Sequence, residues 1–366
     1  MEPFIPERLP LQQIAWEPLI PLMGKVNRTL ARYDGLLQGI PNPSILLSPL
    51  ITQEAVLSSK IEGTRATPGD VLQFDAGEAP VEVERRRDID EILNYRKALL
   101  HAETVVAERG FSLSLLRELH AILLDSVRGE DKKPGLVRTT QNWIGPPGST
   151  MEQALFVPPQ PLLLPEFLEN WVDFYRSEQP DFFVQLAVIH AQFEILHPFN
   201  DGNGRLGRML VPLFLFERGV LSRPAFYLSA YFEKHREAYA TGLRQLGTEP
   251  GAWNRWIDFF LQAVHEQARA DTEKVLAIMK LYERLKEELP ALTHSQYAMP
   301  LLDRIFRQPI LQARHLAGDP AMPSRPMITN LLAKLKQAGI LISLRPGSGR
   351  RGEVLAFAEL LTLCEA

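Results

Sequence analysis

The segment from His197 to Arg208, which reads HPFNDGNGRLGR, concentrates residue types that handle phosphate groups. Gly202 and Gly204 let the backbone turn sharply and approach a ligand closely, because they have no side chain. Their N–H groups lie at the start of a predicted helix, where such groups form a nest for anions. Arg205 and Arg208 are three positions apart, so both side chains reach the same helix end and can clamp phosphates.

Two further side chains of this segment supply a metal ligand and a base. Asp201 is a carboxylate beside the predicted nest, and Mg²⁺ at phosphate sites is held by one or two such groups. His197 lies just before the loop and can act as a general base near neutral pH. Taken singly, a histidine after a buried helix, a Gly-Asn-Gly turn or an arginine pair has a purely structural explanation. Their combination in one loop predicts phosphate-ester chemistry on a nucleotide.

Helices must position this loop, because apolar residues recur at helical spacing over most of the chain. The predicted helices cover residues 22–37, 51–64, 86–108, 112–127, 164–176, 182–196, 205–218 and 253–286. Two short strand-like pieces, 139–144 and 154–157, flank a Gly-Pro-Pro-Gly-Ser stretch and predict a hairpin. Strands and helices do not alternate, so the main body is predicted to be all-α with one small hairpin.

The C-terminal residues 291–366 form a separate pattern. Helices are predicted at 299–318 and 324–339, followed by strands at 340–344 and 354–357 around a glycine-rich turn. This order outlines a winged helix.

Composition narrows the class of protein. The chain has 366 residues, of which 45% are hydrophobic, enough for two or three domains. Its net charge of −4 argues against a dedicated nucleic-acid binder, although residues 291–366 carry nine Lys or Arg against five Asp or Glu. The single cysteine, Cys364, excludes a disulfide framework and a cysteine zinc site within one chain. Neither a signal peptide nor a membrane span is evident, so a cytoplasmic protein without a membrane partner is expected.

The segment 197–208 resembles the signature of the Fic family, His-Pro-Phe-x-Asp/Glu-Gly-Asn-Gly-Arg-x-x-Arg, and matches every specified position. The resemblance extends over most of the chain. Residues 138–145 and 156–159 resemble the family's target-docking hairpin, the flap. Residues 41–64 resemble the N-terminal region of larger bacterial members, among which a C-terminal winged helix is also common. The expected fold is a Fic-type helical bundle with a β-hairpin flap and a C-terminal winged-helix domain.

The resemblance implies transfer of AMP from ATP to a Tyr, Thr or Ser hydroxyl of a protein target. His197 would deprotonate the hydroxyl, and Asp201 would hold Mg²⁺. Tyr239 matches the first tyrosine of the family's Tyr-Tyr-x-x-Leu stretch near the adenine, whereas the second position is Ala240. The implied ATP-binding residues are Gly202, Asn203, Gly204, Arg205, Leu206, Gly207, Arg208 and Tyr239. The implied target-docking residues are Asn142, Trp143, Ile144 and Gly145.

The segment Ser58-Ser59-Lys60-Ile61-Glu62-Gly63 resembles the family's inhibitory motif. Ser58 and Glu62 are four positions apart and share a helix face, and Gly63 is suited to end the helix. A carboxylate at a helix C-terminus is opposed by the helix dipole and should pair with a cation, for which Arg208 is the predicted partner. Arg208 occupied in this way could not hold the γ-phosphate of ATP. Glu62 would therefore inhibit AMP transfer within its own chain, an inhibition called the brake below.

The resemblance divides the chain into an N-terminal helical region (1–110, with the inhibitory helix at about 51–64), a Fic core (111–270), a linker helix (271–290) and the winged helix (291–366). Modification of the protein itself, dimer formation, AMP removal and transfer of another phosphate-containing group stay open, while Gly204 disfavours phosphorylation. The alternative from another class is a DNA-binding regulator. Its candidate helix is 327–337, with Lys334 and Lys336, and its wing carries Arg345, Arg350 and Arg351.

Overall fold

The structure is a computed structural model that describes residues 2–40, 42–125, 127, 132–146, 148–246, 248–349 and 351–365. Some predictions above fall partly outside these residues, at Pro41 of the N-terminal region, Ser126 of the predicted helix 112–127, Pro147 of the hairpin loop and Arg350 of the wing.

The described chain is mainly helical, which confirms the predicted class. In chain order the helices are α1 (Ile20–Gly39), α2 (Pro43–Leu46), α3 (Ser48–Ile61), α4 (Pro68–Asp75), α5 (Val83–Arg109), α6 (Leu113–Leu123), α7 (Leu164–Arg176), α8 (Phe182–Leu196), α9 (Asn203–Glu217), α10 (Ser229–Lys234), α11 (Arg236–Gln245), α12 (Ala252–Thr293), α13 (Ala298–Arg307), α14 (Ala313–Leu316), α15 (Arg325–Gln337) and α16 (Ala358–Glu365). The strands are β1 (Ile310–Leu311), β2 (Ile342–Arg345) and β3 (Val354–Ala356).

Helix α8, which leads into the loop of segment 197–208, begins and ends where the sequence predicts. The side chain of Asp181 accepts hydrogen bonds from the N–H groups of Phe183 and Val184, a cap that satisfies free donors of the first turn. Almost every later residue of α8 is buried. Trp171 of α7 packs against Phe193 of α8 with ring centroids 5.6 Å apart, so α8 is held by the core along its length.

The chain divides into two compact units. The first comprises Met1–Asp34, Leu57–Gly63 and Asn94–Arg269, and it holds the whole segment 197–208. The second comprises Gly35–Val56, Thr64–Leu93 and Ala270–Ala366.

The second unit contains a three-stranded antiparallel sheet in the order β1-β3-β2. Strands β2 and β3 are the predicted pair, but β1 was missed, because only short helices were predicted within 299–318. Helix α13 ends at Arg307 since Pro309 disfavours helical geometry in Gln308, which has φ −132° and ψ 84°. The sheet packs on α4 through a buried cluster of Leu72, Ala76, Ile310, Val354 and Ala356.

The predicted flap strands 139–144 and 154–157 shrink to a single antiparallel bridge between Ile144 and Phe156. Pro146, Pro158 and Pro159 supply no N–H donors at the ends of this pair, so a longer ladder cannot form. Side chains replace the missing ladder, as Gln141 Nε2 donates to the carbonyl of Pro158 at 2.8 Å.

No helix within the described part of the chain is both long enough and apolar enough to cross a membrane.

Candidate functional site

Two residues with left-handed backbone conformation shape the loop between α8 and α9. His197, the residue after α8, has φ 45° and ψ 57°, and Gly202, directly before α9, has φ 78°. A β-carbon on Gly202 would lie 3.1 Å from Cδ2 of Leu123. Gly202 is therefore required both by its backbone conformation and by the close packing around it.

Asn203 fastens the loop to itself. Its Oδ1 accepts from the N–H of Phe199 at 2.9 Å, and its Nδ2 donates to the carbonyl of Phe199 at 2.9 Å. Both ends of this buried side chain are thus used internally, so Asn203 can meet a ligand only through its backbone. Leu206 is a buried core residue of α9. Within the predicted ATP-binding segment its side chain therefore packs in the core, and only its backbone can contribute to binding.

Arg208 is the centre of a buried polar cluster. Its Nε donates to Ser58 Oγ at 2.9 Å, and its Nη2 donates to the Ser58 carbonyl and to Glu62 Oε1, both at 2.7 Å. The Arg208 side chain is 1% exposed and that of Glu62 is 39% exposed. Glu62 follows the last residue of α3, and Gly63, with φ 107°, turns the chain away.

Charge explains why this contact is stable. Burial by itself would raise the pKa of Glu62, but the charge and hydrogen bond of Arg208, together with Arg205 and His197, hold that pKa below its ordinary value. Burial likewise opposes the charge of Arg208, yet the Glu62 carboxylate raises its pKa. The carboxylate also fills the space beside Gly204, since a β-carbon there would collide with Glu62 Oε1.

His197 is neutral at physiological pH in this arrangement. Burial lowers its pKa to about 4, and the nearby Arg138 cation acts in the same direction. The carboxylates of Glu62 and Asp201 and the backbone carbonyl of Glu194 oppose this shift without cancelling it. A neutral imidazole has a free lone pair, which is what a general base requires.

Asp201 has the chemistry for a magnesium ion bound together with phosphates. Its side chain is partly exposed, and one carboxylate oxygen, Oδ1, accepts from the N–H of Gly202 at 2.6 Å. Arg205 Nη2 lies 3.4 Å from the same oxygen. Among the described residues no cluster of three or more His, Cys, Asp or Glu could hold a metal ion alone. This donor set fits Mg²⁺, which takes one or two carboxylates and completes its shell with substrate phosphates and water.

One cavity of about 450 Å³ brings most of these residues together. Its walls comprise Ile61, Glu62, Trp143, Ile144, Gly145, Leu155, Phe156, Glu194, Ile195, His197, Gly204, Arg208, Arg236, Tyr239, Ala240, Leu243 and Arg244. Asn142 of the predicted docking set instead donates from Nδ2 to the carbonyl of Phe199 at 3.1 Å. It therefore fixes the flap segment to the loop of segment 197–208.

Tyr239 lines this cavity, but most of it belongs to the core. Its hydroxyl lies 2.9 Å from His190 Nε2, and its ring stacks on Phe232 with centroids 4.4 Å apart. Burial raises the pKa of Tyr239 and lowers that of His190 to about 3. His190 Nδ1 lies 3.0 Å from the carbonyl of Gly207, so this pair also supports the backbone of α9.

Sequence reasoning gave no role to Glu194, a cavity-lining carboxyl group whose pKa burial raises to about 8. A β-carbon on Gly207 would collide with Glu194 Oε1, so this glycine makes room for it. The sequence feature that could have pointed to Glu194 is that it is the one acidic residue of helix 182–196, whose other residues are apolar or neutral.

His120 was also missed. Its Nδ1 accepts from the N–H of Gly135 at 2.7 Å, which leaves Nε2 to donate to the carbonyl of Asp201 at 3.0 Å. Its ring also stacks on Phe199 with centroids 3.9 Å apart. From α6, His120 thus supports the loop of segment 197–208, and no local sequence motif predicts this contact.

Two protein-family models match stretches of this chain. The Fic/DOC family model matches residues 110–215, and the model of the Fic/DOC family N-terminal region matches residues 20–104. A probable protein adenylyltransferase of Aquifex aeolicus is 39% identical over 100 residues, which are 27% of this chain and 28% of that protein. Protein adenylyltransferase fic-1 of Caenorhabditis briggsae is 29% identical over 145 residues, 34% of this chain and 27% of that protein. The matched stretch spans less than a third of either relative.

Solved structures share the fold. A Fic family protein from Desulfovibrio desulfuricans G20 has a TM-score of 0.61 and 17% identity, with 97% of this chain and 98% of that chain covered. Fic-1 from C. elegans has a TM-score of 0.51 and 19% identity, with 72% of this chain and 75% of that chain covered. The two family models together cover the N-terminal helices, the flap segment and the segment 197–208. The chain belongs to the Fic/DOC family.

Proposed function

We propose that this protein is a protein adenylyltransferase, which moves AMP from ATP to a hydroxyl group of a protein target. The observation that carries the proposal is the cavity in which His197, Gly204 and Arg208 face the flap segment 143–145. It combines a base, an anion nest and a phosphate-binding cation. The relatives matched over part of their length carry the same activity in their names.

In the proposed reaction, His197 removes the proton from the target hydroxyl. The hydroxyl oxygen forms a bond to the α-phosphorus of ATP, and the bond from that phosphorus to the pyrophosphate oxygen breaks. A pKa of about 4 keeps His197 unprotonated at pH 7, so the base is available without prior loss of a proton.

The start of α9 stabilises the charge that develops in this step. The backbone N–H groups of Gly202, Asn203 and Gly204 lie at the positive end of the helix dipole, and Arg205 and Arg208 hold the phosphates. Asp201 would hold a Mg²⁺ ion, which when bound neutralises phosphate charge and steadies the leaving group. Arg208 and the Gly202 N–H are bonded to Glu62 and Asp201 in the structure, so both must exchange these partners for the phosphates before they can act.

We further propose that Glu62 inhibits this activity within the same chain. Its carboxylate occupies the Arg208 guanidinium at 2.7 Å and the space beside Gly204. A γ-phosphate placed on Arg208 must displace this carboxylate. Glu62 and His197 line the same cavity, so we propose as a second activity that a displaced Glu62 positions a water molecule for hydrolytic removal of AMP.

The flap is the proposed docking site for the target. Ile144 pairs with Phe156 through its backbone, and the side chains of Trp143 and Ile144 remain 41% and 38% exposed. An extended target segment can add to residues 142–145 by backbone hydrogen bonds, a mode that is tolerant of sequence. The target hydroxyl would then face His197 across the cavity.

The DNA-binding alternative receives no support from the C-terminal residues. Lys334 Nζ donates to the carbonyl of Thr293 at 2.8 Å, and Lys336 Nζ lies 2.9 Å from Glu353 Oε1. These contacts engage both lysines of the candidate recognition helix, and Arg345 pairs with Glu78 at 2.7 Å. We propose that residues 291–366 form a winged-helix module, for which DNA binding stays an alternative role.

Labelled ATP tests the proposal. Wild type, Glu62→Gly and His197→Ala are incubated with Mg²⁺, cell lysate as target, and ATP labelled at either the α- or the γ-phosphate. Label on protein from the α-position only, greatest in Glu62→Gly and absent in His197→Ala, is expected. Label from the γ-position would mean phosphorylation, and no label from any variant would refute AMP transfer.

A further inference from the structure

Arg138 is a buried cation at the base of the flap, where residues 138–140 and 158–159 join the helical core. This base is called the flap root below. Arg138 is only 2% exposed, and no Asp or Glu in the described part of the chain forms an ion pair with it. Burial lowers its pKa to about 10, which still leaves it charged at neutral pH. A buried charge of this kind requires compensation by hydrogen bonds.

Backbone carbonyl groups provide that compensation. Arg138 Nε donates to the carbonyl of His197 at 2.9 Å, and Nη2 donates to that of Leu196 at 3.4 Å. Nη2 also donates to the carbonyl of Pro159 at 2.5 Å, and Nη1 donates to that of Thr140 at 3.4 Å. The backbone N–H of Arg138 adds a bond to the carbonyl of Pro198 at 2.9 Å.

These acceptors belong to two different parts of the site. Leu196 and His197 are at the C-terminal end of α8, where carbonyl groups lack helical partners and the helix dipole is negative. Thr140 and Pro159 lie on the two flanks of the flap. One planar guanidinium therefore joins the end of the catalytic helix to both sides of the flap root.

The contact with His197 has a particular consequence. His197 is in the left-handed region with φ 45°, which residues other than glycine rarely adopt. Its carbonyl is fixed by Arg138 Nε and its N–H bonds to the carbonyl of Phe193 at 3.0 Å. The orientation of the imidazole thus depends on Arg138 as well as on α8.

We infer that Arg138 is a positioning residue that sets the distance and orientation between the His197 imidazole and a target segment docked on the flap. The inference rests on the proposed AMP transfer. Arg138 itself does not line the cavity, so it acts on the reaction only through the groups it holds.

Lysine cannot replace this arrangement. An ammonium group is a compact point charge, whereas the planar guanidinium carries five donors in a fixed fork and reaches acceptors on both sides. A displacement of about 1 Å between reacting groups can cost about 100-fold in rate. ATP binding should persist in Arg138 variants, because the residues proposed to hold its phosphates keep their own contacts.

A second signature separates positioning from simple loss of stability. The charged groups that influence His197 are Arg138, which lowers its pKa, and Glu62 and Asp201, which raise it. Removal of the Arg138 charge should therefore move the acid limb of the pH–rate profile upward, toward the ordinary range of histidine. Lysine keeps the charge and should leave the limb in place.

The experiment uses the full chain carrying Glu62→Gly, so that activity is measurable. Into it are introduced Arg138→Met, Arg138→Lys and the control Arg218→Met. Arg218 donates to the carbonyls of Tyr175 and Ser177 at the end of α7, so it matches the chemistry of Arg138 away from the cavity. The initial rate of AMP transfer is measured against ATP concentration and against pH, together with Tm.

We expect both Arg138 variants to lose about 100-fold in maximal rate, while the KM for ATP stays within about twofold. Arg218→Met should keep the rate of the Glu62→Gly chain, which is the background rate. The acid limb should shift in Arg138→Met alone. If Arg138→Met does not fold, the rate and KM of Arg138→Lys decide the matter. An Arg138 variant that keeps the background rate, or that raises KM without lowering the maximal rate, would overturn the inference. No transfer in the Glu62→Gly background itself would instead refute the proposed function.

Discussion

Substitution of Glu62 by glycine tests the proposed brake most directly. In the structure, Glu62 Oε1 accepts from Arg208 Nη2 at 2.7 Å and lies against Gly204. Glycine removes the carboxylate and leaves the Ser58 contacts to Arg208 intact. The backbone after α3 tolerates the change, since Gly63 already provides the turn.

The size of the effect follows from the contact that is lost. A hydrogen bond between charged groups contributes about 1.5–3 kcal/mol. The Glu62 side chain is 39% exposed, so solvent screens part of this attraction and the lower end, about 1.5–2 kcal/mol, applies. Because about 1.4 kcal/mol corresponds to a factor of ten, ATP should reach the productive state about 10- to 30-fold more often. The initial rate of transfer should rise by the same factor.

The assay is the initial rate of α-labelled AMP incorporation at ATP concentrations below KM. Glu249→Gly is the matched control, since Glu249 also pairs with an arginine, Arg255, at 2.7 Å but at the exposed surface. Its rate should equal that of wild type. An unchanged rate in Glu62→Gly, with transfer that still depends on His197, would refute the brake.

Four further predictions follow from individual contacts. Since the pKa of Glu62 lies below its ordinary value of 4.5, the brake should persist on mild acidification, and the rate ratio of Glu62→Gly to wild type should stay constant from about pH 8 to 5.5; a ratio that falls within this range would contradict it. Arg236→Ala should raise the wild-type rate by about fivefold in the same assay, because it removes a hydrogen bond of 2.6 Å to the Ile61 carbonyl, worth about 1 kcal/mol; a rate no higher than wild type would count against this role. Asp201→Asn should raise the Mg²⁺ concentration for half-maximal rate at least about tenfold, and an unaltered Mg²⁺ titration would remove Asp201 as ligand. The pKa of His190 falls from 6.5 to about 3 on folding, so below pH 6.5 the unfolded chain takes up a proton that the folded chain does not, and stability should fall as pH drops; Tm measured against pH should depend less on pH in His190→Gln, and equal slopes would exclude the effect.

The sequence predicted the structure best where residues close together along the chain determine it. The ends of α7 and α8 were predicted correctly because apolar spacing and, for α8, the Asp181 cap are local signals. The strand β1 was missed because a two-residue strand has no periodicity of its own. It exists because β3 offers backbone partners more than forty positions away, with Leu311 opposite Leu355.

The flap shows the same limit. Two short strand-like pieces around a Gly- and Pro-rich stretch suggested a hairpin, but prolines left a single bridge between Ile144 and Phe156. Side chains of Arg138 and Asn142 fix it to the carbonyls of His197 and Phe199. Such contacts depend on where two loops meet, which local spacing does not encode.

The sequence by itself determined the chemical inventory of the site. A base, a carboxylate, a glycine nest and two arginines stand within residues 197–208, and spacing of three or four positions places them on one helix end. Tertiary structure decided what these groups face. It brings Glu62 to Arg208 across 146 positions, and burial sets the protonation of His197 and Glu194. The physical reason is that helical geometry relates only residues within a few turns, whereas desolvation and long-range ion pairs arise when helices pack.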